Sequence, residues 1–214
     1  MRPTPVLARL ERTAVQRALL LRTLADSCGS PPVAAETDRL VSFLAIETLN
    51  LWACFARSYY LSCVMGARTR AGASVTISNA SVRSFDDAIK LAVWTFNTRL
   101  RGTPGPFRPR DEPAWHDTAV LLRLISVVGA STVAQTTTAL GHSTTVFRDL
   151  PVFRNFFAHR SEGTAVKAAN VARSYSLNPA LRPSEVLCAT RAGRPQSVLS
   201  DWIDDVRIVV SGLC

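Results

Sequence analysis

The stretch Asp149-Leu150-Pro151-Val152-Phe153-Arg154-Asn155-Phe156-Phe157-Ala158-His159-Arg160 is apolar enough to belong to a core. Yet it places Arg154, Asn155, His159 and Arg160 close together among three phenylalanines. Pro151 suits the first turn of a helix, where its missing N–H costs nothing, and the pattern continues to about Ser174. On that helix Asn155 and His159 stand at i and i+4, on one face, with Arg154 beside Asn155. Phe153, Phe156 and Phe157 fall to either side. The aromatic rings can anchor the helix while one edge offers a guanidinium, an amide and an imidazole.

Helical spacing extends outward from this stretch in both directions. An N-terminal helix over about residues 4–27 carries Leu7, Leu10, Val15, Leu19 and Leu20, and ends where Gly29 and Pro31-Pro32 stop it. A second helix begins after Thr37-Asp38 and runs to about Gly66, apolar around most of its circumference. Its one polar stripe holds Arg39, Asn50 and Arg57, with Glu47 about 60–80° away on an ideal helix. That stripe is either solvated or faces a polar cleft, so Glu47, Asn50 and Arg57 are further site candidates.

After a loop with a short extended piece at Ser74–Ile77, Ser84 and Asp87 form a capping pattern for a third helix. A fourth runs over about 111–140, capped by Asp111 with Pro113 in its first turn. A short turn at 184–191 precedes a last amphipathic helix over about 195–212. Arg148 and Asp149 either pair with each other or Asp149 caps the helix of the opening stretch. Strand patterns are almost lacking. The expected fold is all-α, an up-and-down bundle of five to six helices in one domain, 1–214. Its core spans about 37–175, with the first and last helices as extensions.

The formal charge is +9, and of 25 basic residues all but Lys90 and Lys167 are arginine. Arginine is always charged and its planar fork matches phosphate, so a basic surface favours polyanions. The proline-rich loop between the third and fourth helices holds Arg99, Arg101, Arg108 and Arg110. With Arg57 and Arg160, these are the residues expected to touch a nucleic-acid backbone.

Cys28, Cys54, Cys63, Cys188 and Cys214 form no CxxC pair and read as reduced thiols of a cytoplasmic protein. No ligand spacing suggests a metal site, and no cofactor is expected. Glu11, Arg12 and Arg17 interrupt the N-terminal segment before any run suited to export. Glu47 and Arg57 break the apolar stretch 40–67, and Arg123 breaks 119–134, so both read as buried helices and no membrane partner is expected. His116 and His142 stand apart from any chemical partner.

The run Arg154-Asn155-Phe156-Phe157-Ala158-His159 resembles the signature of the HEPN family (higher eukaryotes and prokaryotes nucleotide-binding). That signature is Arg, four to six intervening residues and His, often with Asn, Asp or His directly after the Arg, on a late helix of a small all-α domain. The resemblance covers motif and architecture from about 37 to 175. It implies a metal-independent endoribonuclease, a toxin or an effector of anti-phage or stress defence. It also implies a homodimer with a composite site at the interface, and a possible antitoxin or regulatory partner. Carried onto this chain, His159 acts as general base on the ribose 2′-hydroxyl or as acid toward the leaving oxygen. Arg154 stabilises charge on the in-line transition state, and Asn155 orients the imidazole or the phosphate.

Elementary chemistry is consistent with those roles. An unperturbed imidazole titrates near about 6.5 and exchanges protons at neutral pH. RNA carries its own nucleophile, so proton transfer and charge stabilisation suffice for cleavage to a 2′,3′-cyclic phosphate. Two other readings stand beside it. One is a non-catalytic helical RNA-binding or dimerisation module. The other is a structural helical protein whose arginines reflect genome composition.

Overall fold

The structure, a computed structural model, describes residues 1–142 and 144–214. It is all-α. Nine α-helices are present among the described residues: α1 (Leu7–Asp26), α2 (Ala35–Val64), α3 (Phe85–Phe96), α4 (Thr118–Val127), α5 (Val133–Leu140), α6 (Val146–His159), α7 (Glu162–Ser174), α8 (Pro183–Cys188) and α9 (Val198–Leu213). Two 3-10 turns, Thr98–Leu100 and Pro109–Asp111, lie in the arginine-rich loop. Strand-like pairing is limited, among the described residues, to isolated bridges such as Arg68 with Ser74 and Ile77 with Ala130. Ser74 and Ile77 bound the piece expected to be extended.

The helix count exceeds the expected five to six because two long helical patterns break and the turn expected at 184–191 is a short helix, α8. Over 111–140, Asp111 closes a 3-10 turn, and α4 starts only after Asp117, whose carboxylate accepts the Ala119 N–H at 2.9 Å. Gly129 then adopts φ +61° and separates α4 from α5. A Cβ there would also strike the Ser78 hydroxyl, so the break needs glycine twice over. Over 151–174, the helix starts earlier, at Val146, leaving Pro151 in its second turn, where it forgoes one i→i−4 bond. It ends at His159, because Arg160 turns left-handed at φ +43°. Ser161 then caps α7, its hydroxyl accepting the Thr164 N–H.

The chain divides into two compact units. The first comprises 1–15, 52–142 and 209–214. Its core is an aromatic column on α2, Trp52 over Phe55 over Tyr59, with centroid separations of 5.9 Å at each step. Tyr60 packs on Trp115 and donates its hydroxyl proton to the Ala88 carbonyl, which ties α3 to α2. Leu121, Leu124 and Ile125 of α4 are fully buried here.

The second unit comprises 16–51 and 143–208. Trp202 of α9 is fully buried and receives the edges of Phe153 (α6) and Tyr175, with centroids 5.6 and 6.2 Å away. A polar network runs through this core. Asp149 is buried, takes two bonds from Arg148 at 2.7 and 2.9 Å, and accepts the Tyr175 hydroxyl at 2.6 Å. The Arg148–Asp149 pairing therefore forms, and Asp149 does not cap α6; the capping position belongs to Thr145. Burial, and then the bond to Asp149, push the Tyr175 hydroxyl up to about 12.

By length and mean hydropathy (1.3 over its most apolar window), α2 matches a membrane-crossing helix, and half of that window is buried within the protein.

Candidate functional site

The candidate edge lies on α6. Phe153 is fully buried against Trp202, and Phe157 is buried with Phe156 set edge-on to it at 5.3 Å. These rings hold the helix, and the intervening positions turn outward. Arg154 is half-buried, and Asn155 and His159 are exposed. Arg154 Nη1 lies 3.4 Å from Asn155 Oδ1, a long contact that aligns the guanidinium along the helix surface. The side chain of His159 has no hydrogen bond or ion pair to any described residue, so its nitrogens are open to solvent. It is the last residue of α6, immediately before the left-handed Arg160.

Arg160 is less free than the sequence suggests. Its guanidinium sits 3.2 Å from Asp38 Oδ2 in the first turn of α2, at a site where both groups keep solvent contact. Glu47 and Asn50 do come together: Asn50 Nδ2 donates to Glu47 Oε1 at 3.1 Å, and Arg17 lies 3.6 Å from the same carboxylate. Neither is bonded to Arg154, Asn155 or His159.

Arg57 belongs to the first unit and is committed elsewhere. It forks onto Glu112 with bonds of 2.6 and 2.8 Å, and Glu112 also accepts the Trp115 indole N–H at 2.8 Å. The Glu112 hydrogen bond raises the Arg57 pKa still further, so the pair is locked as an ion pair. The pair lines a cleft of about 510 Å³ with Asp86, Asp87, Lys90 and Phe107.

The loop arginines Arg99, Arg101, Arg108 and Arg110 are all exposed, and none of them pairs with a carboxylate among the described residues. Arg101 Nε donates to the Trp94 carbonyl at 3.2 Å, which fixes the start of the loop against the end of α3. Among the described residues no group of three or more His, Cys, Asp or Glu side chains converges as a metal-ion site.

Sequence reasoning missed the acidic cluster of the second unit. Arg191 bonds Asp201 at 2.7 Å and stacks over Tyr175 at 4.7 Å, and Thr144 donates to Asp205. Burial raises the Asp205 carboxyl above its ordinary range. No local pattern marks these residues, because the partners come from segments far apart in the chain.

Fold and site together define an all-α protein with an exposed arginine–amide–imidazole edge mounted on buried phenylalanines. Comparison of the chain with protein-family models, with curated protein sequences and with solved structures returned no match in any of the three.

Proposed function

We propose that this protein is a metal-independent endoribonuclease of the kind its Arg-Asn-x3-His run resembles, working in toxicity or in anti-phage or stress defence. The observation that carries the reading is the edge of α6, where Arg154, Asn155 and His159 share one exposed surface. The chemistry needs this edge, a second copy of it and the RNA. His159 takes the proton of the 2′-hydroxyl as its oxygen attacks phosphorus in line. Arg154 stabilises the charge that grows on the phosphoryl oxygens. The 5′-oxygen leaves with a proton, which a second copy of the motif supplies in a homodimer. The products are a 2′,3′-cyclic phosphate and a 5′-hydroxyl.

One observation favours a second reading, a non-catalytic RNA-binding module. Among the described residues His159 has no side-chain partner to fix its ring, whereas a general base is ordinarily oriented by a further group. Cleavage of a mixed RNA pool in excess EDTA, beside His159→Ala, decides between them. The proposal expects cyclic-phosphate ends from the wild type and a loss of about 10²–10⁴-fold in the variant. RNA that is bound but left intact by the wild type, as dimer as well as monomer, selects the binding module.

A further inference from the structure

Beside the C-terminal end of α3, in the first unit, lies an open cleft of about 360 Å³ lined by Leu91, Trp94, Phe96, Arg101, Arg123 and Val127, among others. Its chemistry differs from that of the larger cleft around Arg57. There, Arg57 and Lys90 are outnumbered by Asp86, Asp87 and Glu112, and Glu112 already holds Arg57, so the wall favours a phosphate less. Here the lining holds two guanidiniums and no carboxylate. Arg101 and Arg123 are both exposed, and neither has an acidic partner among the described residues. Arg101 is held in place through its Nε bond to the Trp94 carbonyl, which leaves its two terminal nitrogens to point elsewhere.

Apolar rings complete the site. Phe96, the last residue of α3, is 41% exposed. One face of Trp94 is covered by the Lys90 ammonium, 4.5 Å from the ring centroid, so Phe96 is the open stacking surface. The Trp94 indole Nε1 is buried without an acceptor among the described residues, so it adds no exposed donor to the cleft. Two arginines with no carboxylate partner among the described residues, beside an open aromatic face, match a ligand that joins a phosphate to a planar base. The cleft is open to solvent, which suits one unit of a strand. A base stacked inside a duplex could not present its face to Phe96.

We propose that this cleft binds one nucleotide of single-stranded RNA, its base on Phe96 and its phosphates between Arg101 and Arg123. The loop that continues from Arg101 through Arg108 and Arg110 extends the positive surface along the strand. The choice of RNA rests on the proposed function, but the cleft and the α6 edge fail separately when binding is read without cleavage.

The test uses a labelled 2′-O-methyl oligouridylate of about twelve nucleotides, which lacks the attacking hydroxyl and so cannot be cut by the proposed reaction. Its binding to the full chain is followed by fluorescence anisotropy across a salt series. The double variant Arg101→Ala/Arg123→Ala is expected to weaken binding at least about tenfold at low salt. It should also reduce the slope of log Kd against log salt by about 1.4, the value for two lost contacts to a single strand. Phe96→Ala should weaken binding by about fivefold or more with the slope unchanged, since stacking releases no counterions. All three side chains are at the surface, so thermal unfolding of the variants should match the wild type. Unchanged affinity and slope in the double variant overturn the site. So does an unaffected Phe96→Ala. Displacement of the probe by free uridine monophosphate at equal affinity overturns the strand reading in favour of a mononucleotide pocket.

Discussion

At the scale of single residues, the informative cases are charges whose partners were out of sight in the sequence. Arg57 read as a cleft cation, yet Glu112 neutralises it while also accepting the Trp115 N–H. Glu112→Ala strands both donors. Discounted for the partial exposure of Arg57, the expected loss is about 1–2 kcal/mol, seen as a lower urea midpoint with an unchanged m-value. Asp205 shows the opposite behaviour. Its folded pKa lies above the ordinary value of 3.8 because burial disfavours the carboxylate. Between that value and the raised one, the folded protein holds a proton that the unfolded chain has released. Its contribution to stability therefore falls as pH rises through this window. Asp205→Asn, which keeps an acceptor for Thr144, should flatten that part of the stability profile, compared by urea unfolding at about pH 4 and about pH 7.

At the scale of elements, the turn between α6 and α7 decides where the candidate edge ends. The periodicity of 151–174 reads as one helix, because a left-handed residue other than glycine leaves no mark in the hydrophobic pattern. The start signal of α7 was nonetheless present as Ser161-Glu162 with Thr164. Arg160 adopts φ +43° and loses only an exposed ion pair on substitution. Arg160→Gly should therefore raise stability by about 0.5–1 kcal/mol, and a β-branched residue there should lower it by about 1–2 kcal/mol, both measurable by thermal unfolding. The start of α3 was fully legible. Ser84 accepts the Asp87 N–H at 3.1 Å, and Asp87 answers with bonds from the Ser84 hydroxyl and the Arg83 N–H. Ser84→Ala should cost about 1 kcal/mol by the same measurement.

At the scale of the whole molecule, a net charge of +9 with few acidic partners for the loop arginines makes association with polyanions steeply dependent on salt. The all-α class and the helices of Leu7–Asp26 and Phe85–Phe96 were determined by the sequence itself, because caps and apolar faces act within a few residues, whereas α2 begins at Ala35, so the expected Thr37-Asp38 cap lies inside its first turn. The outward setting of Asn155 and His159, opposite the buried Phe153 and Phe157, was likewise determined by the sequence. The tertiary structure decided the rest. Gly129 had to meet Ser78 before its break between α4 and α5 was visible. Glu112 had to reach Arg57, and Tyr175 had to reach Asp149, across stretches of chain that no helical period spans. The cleft of Arg101 and Arg123 likewise joins a loop to a helix that follows it. Local patterns encode which residues turn inward, but the pairing of charges depends on distances that exist only once the chain has closed on itself.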